Sequence, residues 1–390
     1  MKRLFLFLAF IYIVSIANAQ WQHTNLDSNS VKSISVQCLI INGNNIFAGT
    51  NSGVYLSSNN GNKWTAVNSG LTDTTYVSAF AINDSNIFTG TYGGGVFLSS
   101  NNGSNWNAVN TGLTDYNVQA LAINGSNVFA GTYSGGGVYL SSNNGNNWNA
   151  VKNGLTDTLV NALAFKGDTL FAGTYKGIYS SSNNGGNWSV DTGNIQVNAL
   201  AVSGNNFFAG TANGMYLSQD NGSTWFARNT GLTDTYISAL AVNGNNIFAG
   251  SGDGVYWSSN NGSTWLASNN GLINTDVHAL ATNGSYIFAG TMGSGVWRLP
   301  LTELGIKEIN IESNIWVYPN PNNGKFQVTG PNNQIQSLEV YNIIGKEVHS
   351  TSNVKHETSG EIDISSFPAG MYIVKVKTEK GAWERKFIKE

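Results

Sequence analysis

VQALAINGSNVFAGTYSGGGVYLSSNNGNNWNAV, residues 118–151, decides the architecture. Val118, Ala120 and Ala122 alternate with Leu121 and Ile123, giving a strand that is apolar on both faces, as a strand packed between two neighbours must be. Residues 127–132 read as a second strand and 137–142 as a third. After the Asn143-Asn144-Gly145 turn, 148–151 read as a fourth. The period is two and glycine interrupts every eight to twelve residues, so helices are excluded and four antiparallel strands are expected.

The phrase recurs. Its glycine stands at Gly49, Gly90, Gly131, Gly173, Gly210, Gly250 and Gly290, and the closing tryptophan at Trp64, Trp106, Trp148, Trp188, Trp225 and Trp265, spaced by 42, 42, 40, 37 and 40 residues. Repeats near forty residues with this strand pattern predict the blades of a β-propeller. Seven second strands against six tryptophan-closed turns leave one outer strand missing. Trp21-Gln22-His23-Thr24-Asn25-Leu26-Asp27 reads as a trimmed copy of the segment that begins at Trp64. It is expected to complete the blade begun by residues 277–299, closing a ring of seven blades with no free inner edge.

Ser218-Gln219-Asp220-Asn221-Gly222-Ser223-Thr224-Trp225 resembles in full the Asp-box (BNR) repeat of sialidases, sortilin-type receptors, xyloglucanases and photosystem assembly factors. Five other boxes carry Asn59, Asn101, Asn143, Asn183 and Asn260 at the aspartate position, and an amide oxygen accepts the same turn N–H bonds. The resemblance implies that the box is a structural turn on the face away from any ligand.

Composition agrees with an all-β chain: 46 glycines and 11% charged residues in 390, with a formal net charge of −3. No basic stripe exists to neutralise a run of phosphates, so nucleic acid is not an expected partner. Cys38 is the one cysteine and cannot form an intramolecular bridge. It is expected in the core. Residues 1–19 carry Lys2 and Arg3, an apolar run over 4–16 and a closing Ala17-Asn18-Ala19, the pattern of a cleavable signal peptide with Gln20 as the mature start. The run is shorter than the ~20 residues an anchor needs to span a bilayer.

Charge density rises sharply near Glu303, the first glutamate of the chain, marking a boundary between a propeller over 20–301, a linker over 302–313 and a second domain over 314–390. Alternating stretches at 325–329, 337–342, 361–364 and 370–378, separated by proline and glycine turns, predict a small immunoglobulin-like β-sandwich. Val317-Tyr318-Pro319-Asn320-Pro321 with Gly324, then Val340-Tyr341-Asn342-Ile343-Ile344-Gly345-Lys346, then Ile362-Asp363-Ile364 through Pro368-Ala369-Gly370-Met371-Tyr372 to the end at Glu390, resemble the type A sorting domain of the Bacteroidetes type IX secretion system. That resemblance implies export to the periplasm, recognition by an outer-membrane translocon as partner, and delivery to the cell surface or the medium.

Catalytic inventory is thin. A sialidase needs an arginine triad, a Tyr/Glu pair and an acid, whereas the propeller has Arg228 and Arg298 and no glutamate. Asp73, Asp115, Asp157 and Asp234 recur as Gly-Leu-Thr-Asp in successive repeats, which suits loop residues holding turn N–H groups better than a unique catalytic pair. His23, His278 and Cys38 lack the spacing of metal ligands. Gly93-Gly94-Gly95 and Gly135-Gly136-Gly137 precede strands rather than a helix and a phosphate-binding lysine. Neither a metal nor a cofactor is expected.

What remains is a surface. Tyr92, Tyr133 and Tyr175 fall in loops between second and third strands, and Tyr76, Tyr116 and Tyr236 in loops between blades, beside the Thr-Asp pairs. Aromatic platforms with short polar acceptors suit a sugar ring or an extended peptide. The ten residues Tyr76, Tyr92, Tyr116, Tyr133, Tyr175, Tyr236, Asp73, Asp115, Asp157 and Asp234 are the expected ligand face of a monomeric, non-catalytic binder of glycan or protein. A glycan-cleaving enzyme of another type and a structural or adhesive surface protein are the alternatives.

Overall fold

The computed structural model describes residues 20–26, 33–71, 76–83, 86–304, 316–329, 335, 337–342, 346–352, 362–378 and 381–390. The leader over 1–19, Asp73 and most of the linker lie outside the described residues. Two compact units are present, Met1–Leu304 and Gly305–Glu390.

The first unit is a propeller of seven four-stranded antiparallel sheets. The third blade is representative: Val118–Asn124, Asn127–Thr132, Val138–Ser141 and Asn149–Ala150, in that order from axis to rim. Inner strands pack in a ring, each beside the next and the seventh beside the first. The outermost strand holds only two paired residues, shorter than its sequence pattern, because beyond it the chain leaves the sheet to turn into the next blade. In the seventh blade Gln22–His23 is the outer strand, with Gln22 opposite Arg298 and His23 opposite Trp297. Trp21 is buried there, Thr24 Oγ1 donates to Val296 O at 2.6 Å, and Trp64 Nε1 donates to Thr24 Oγ1 at 3.0 Å. The N-terminal segment is thus held by both the seventh blade and the first.

Glycine in the Ala-Gly-Thr phrase is required by packing. Its backbone is not left-handed, yet a Cβ on Gly131 would lie 2.5 Å from Val160 of the next blade, and one on Gly173 2.6 Å from Val197. The same relation runs around the ring, so the absent side chain lets the β-branched residue of the adjacent inner strand seat against the backbone. Phe47, Phe88, Phe129, Phe171, Phe208, Phe248 and Phe288, two residues before each glycine, are fully buried.

The tryptophan-closed turns need a different backbone. In the fifth blade Asn221 and Gly222 both have positive φ (58° and 88°), and Ser218 Oγ accepts Gly222 N–H at 2.8 Å while donating to Asp220 Oδ1 at 2.9 Å. Asp220 also accepts the Thr224 N–H, and in the first blade Asn59 Oδ1 accepts Lys63 N–H at 2.9 Å in the same role. The acceptor oxygen is what the turn requires, so asparagine serves as well as aspartate. Cys38 packs against the core cluster containing Phe47 and Phe80, and burial drives its thiol pKa well above the ordinary range.

The second unit is a β-sandwich. One sheet orders Glu347–Ser352, Ser337–Asn342, Gly370–Thr378 and Gly381–Lys389; the other orders Trp316–Tyr318, Lys325–Thr329 and Ile362–Asp363. Phe326, Val328, Leu338, Val340, Val374 and Phe387 meet in its core. The Pro-Asn-Pro-Asn segment clasps the chain end: Asn320 Oδ1 accepts Ile388 N–H at 2.9 Å, and Asn322 O accepts Glu390 N–H at 2.8 Å.

Candidate functional site

Loops joining second to third strands, and those joining blades, share the end of the propeller opposite the tryptophan-closed turns. Within a blade the two loops are tied by one backbone bond: Tyr92 N–H donates to Tyr76 O, Tyr133 N–H to Asn117 O, and Tyr175 N–H to Leu159 O. This bond sets the three tyrosines Tyr92, Tyr133 and Tyr175 at equivalent places on the second, third and fourth blades. All are exposed at the surface, Tyr92 most of all at 60%.

The second and third blades bring several expected residues together. The rings of Tyr76 and Tyr92 meet edge to face with centroids 6.2 Å apart, and Gly93 and Gly95 N–H both donate to Tyr116 O. Beside them opens a cleft of about 530 Å³ lined by Thr114, Asp115, Tyr116, Asn117, the Ser134-Gly135-Gly136 loop and Lys152. Burial drives the Tyr76 hydroxyl pKa upward, so it stays a neutral donor. Tyr236 is not part of this group: it lies on the sixth blade, its hydroxyl 3.4 Å from Gln196 Nε2.

Asp115 and Asp157 are buried, and Asp234 is partly buried. Asp115 is 8% exposed, its Oδ1 accepting Asn117 N–H and its Oδ2 accepting Ser134 and Gly136 N–H, each at 3.0 Å. Asp157 accepts Leu159 and Lys176 N–H, and Asp234 accepts Tyr236 and Gly252 N–H. Each carboxylate therefore ties the interblade loop to the hairpin loop of its own blade, so these aspartates shape the face on which the tyrosines sit.

One polar feature escapes a strand-by-strand reading. Every inner strand has a β-bulge after its first residue, leaving Gln37, Ser78, Gln119, Asn161, Asn198, Ser238 and His278 without a partner on the second strand. Asn161 and Asn198 reach across to the next blade, their Nδ2 donating to Val197 O at 3.0 Å and Ile237 O at 2.9 Å. Ser78 and Ser238 do the same to Val118 O and Val277 O. A bulge exposes a carbonyl, and the neighbour's side chain answers it. The signal was a polar residue at the second position of an otherwise apolar strand in all seven repeats.

Residues 316–390 match the family described as secretion system C-terminal sorting domain. The chain carries a type IX sorting domain. It is therefore exported through that system to the cell surface or extracellular space. No curated protein matches the chain in sequence. Among solved structures, the chain is similar to the extracellular domain of a one-component system from B. thetaiotaomicron, at 18% identity and TM-score 0.59 over 81% of this chain and 45% of that one. The chain thus spans under half the length of that structure. YCF48 bound to D1 peptide is similar at 12% identity and TM-score 0.58, over 73% of this chain and 97% of that one. The GH74 xyloglucanase from Xanthomonas campestris is similar at 14% identity and TM-score 0.57, over 95% and 74%. At these identities the likeness shows the propeller fold alone.

Proposed function

We propose that the exported propeller is a non-catalytic binding module whose loop face, centred on Tyr76, Tyr92 and Tyr116, takes a glycan. The observation that carries this reading is the exposed edge-to-face Tyr76 and Tyr92 pair beside the cleft that Tyr116 lines. A pyranose presents an apolar face to an aromatic ring and hydroxyls at its rim, and Asn117, Ser134 and Lys152 supply polar partners at the cleft wall. Tyr133 and Tyr175 continue the exposed aromatic row onto the neighbouring blades, which suits an oligosaccharide longer than one ring.

Hydrolysis is less well supported. A glycosidase places two carboxyl groups on either side of the scissile bond, with one poised to donate a proton. The cleft aspartate, Asp115, instead accepts three backbone N–H groups. The xyloglucanase and the peptide-bound propeller to which the chain is similar show that this fold hosts both cleavage and binding, and the disposition of the carboxylates favours binding here.

A glycan array probed with the mature chain tests the reading. Binding that falls about tenfold or more in Tyr92→Ala or Tyr116→Ala, with thermal stability kept, is expected from loss of a stacking platform. Release of reducing ends from a polysaccharide panel would show an enzyme instead. Absence of any glycan binding, together with capture of a protein ligand by the same tyrosines, would replace the ligand class.

A further inference from the structure

At six of the seven contacts between neighbouring blades a leucine fills the same position: Leu26, Leu71, Leu113, Leu155, Leu232 and Leu272. Leu113 shows the arrangement, packed in one cluster with Val96, Ala130, Tyr139 and Trp148. Between the fourth and fifth blades the corresponding residues are Ile178, Ala209, Tyr216 and Trp225, and in place of a leucine the connecting loop packs Ile195, partly buried, against that cluster and onto the cavity wall. The interval from tryptophan to inner strand is three residues shorter here, and the Gly-Leu-Thr-Asp phrase is what is missing. Ile178, Ala209, Tyr216 and Trp225 instead line a cavity of about 200 Å³, rimmed by Asn194 and Asn213.

The deletion leaves polar groups unanswered as well. Trp106, Trp148, Trp188 and Trp265 each donate the indole N–H to a main-chain carbonyl of the preceding blade at 2.7–2.8 Å. The equivalent carbonyl for Trp225 belongs to Asp191, which is bulged out of register: Tyr179 pairs with Val190 and Ile178 with Thr192. Trp225 Nε1 and Asp191 Oδ2 are both buried with no hydrogen-bond partner among the described residues. Likewise Tyr139 and Tyr179 hydroxyls pair with Thr114 and Thr156 at 2.7 and 2.8 Å, and the loop before Tyr216 has no threonine in that place. A buried donor without an acceptor is costly, and a void between apolar walls forfeits packing.

We propose that this cavity is a binding site for an extended peptide segment of a partner protein that presents a leucine to it. The leucine enters between Ile178 and Tyr216, a main-chain carbonyl four residues before it accepts from Trp225 Nε1, and a hydroxyl on the residue after it meets the Tyr216 hydroxyl, the spacing of Val109, Leu113 and Thr114. These are three features of one peptide, and the contacts closed by Trp148, Trp188 and Trp265 supply all three from their own chain. A small apolar molecule would fill the void but leave the indole N–H unpaired. The site lies on the loop end of the ring at the contact between the fourth and fifth blades, apart from Tyr76, Tyr92 and Tyr116, and does not depend on the glycan reading.

The probe is a capped synthetic peptide with the chain's own sequence over 151–157, Val-Lys-Asn-Gly-Leu-Thr-Asp, titrated into the ¹⁵N-labelled mature chain. Saturable movement of one indole N–H resonance is expected, assigned to Trp225 by its absence in Trp225→Phe. Replacing the peptide leucine by aspartate should weaken binding roughly ten- to a hundred-fold. Grafting residues 151–159 in place of 191–196 supplies the plug in cis and should abolish binding while raising the melting temperature. If the graft fails to fold, Gly193→Leu serves, since an added Cβ there meets nothing nearer than 3.9 Å. Tyr92→Ala should leave peptide binding unchanged. Unaltered binding to the graft or to Gly193→Leu, or movement of the resonance by 3-methylbutan-1-ol but not by the peptide, overturns the proposal.

Discussion

Gly290 in the seventh blade lies directly beneath Val36 of the first: a Cβ on Gly290 would fall 2.5 Å from Val36 Cγ1 and 2.8 Å from its Cβ. The two residues are at opposite ends of the propeller sequence, and their contact is the ring closure itself. The same contact joins Gly90 to Val118 and Gly250 to Val277, each at 2.7 Å, so closure uses the geometry of every internal blade contact.

Gly290→Ala should therefore lower stability by about 1–3 kcal/mol through overpacking, as should Gly131→Ala. Gly193→Ala, whose Cβ meets only Lys176 O at 3.9 Å, should change it little. Urea denaturation of the three variants measures the difference. Equal midpoints would show that the blades part without cost.

Trp21→Ala removes the buried indole that seats the N-terminal strand on the seventh blade. A loss of about 3–5 kcal/mol is expected from the truncation of a buried tryptophan. The freed edge of Val296–Pro300 should also make the variant self-associate, because an unpaired strand offers its N–H and C=O groups to another chain. Light scattering alongside thermal melts checks both effects.

Asp191 gives a pH dependence of definite sign. Burial pushes its carboxyl up from 3.8 to about 6, against the opposing bond from Ser180 Oγ. The folded state then holds a proton that the unfolded chain has released, so this group's stabilisation is present below pH ~4 and lost as pH rises from ~4 to ~6. Asp191→Asn should raise stability by about 1 kcal/mol at pH 7, a value reduced from the full shift because the carboxyl is partly open to water. The gain should vanish near pH 4. A constant difference across that range would rule out the titration.

Deleting residues 314–390 should leave the chain in the periplasm, since the sorting domain directs its passage across the outer membrane. Cell fractionation reads this directly. Surface display of the truncated chain would show that another segment suffices.

Legibility differed by the range of the interaction. The alternation in 118–151, the left-handed Asn-Gly turns and the duplicate of the Trp64 segment at Trp21 are local patterns, and they specified blades, turns, their number and the way the ring closes. Pattern along one strand cannot say which carbonyl a bulge exposes to the next blade, so the stitching by Asn161 and Asn198 became visible only with neighbours in place. Asp115, Asp157 and Asp234 were legible as loop residues, but which N–H groups each holds depends on a hairpin about 20 residues further on. The spacing of 37 between Trp188 and Trp225 was countable in the chain. That it empties a cavity and strands an indole N–H was decided by tertiary structure, because only packing between blades determines what fills the space a shorter loop gives up.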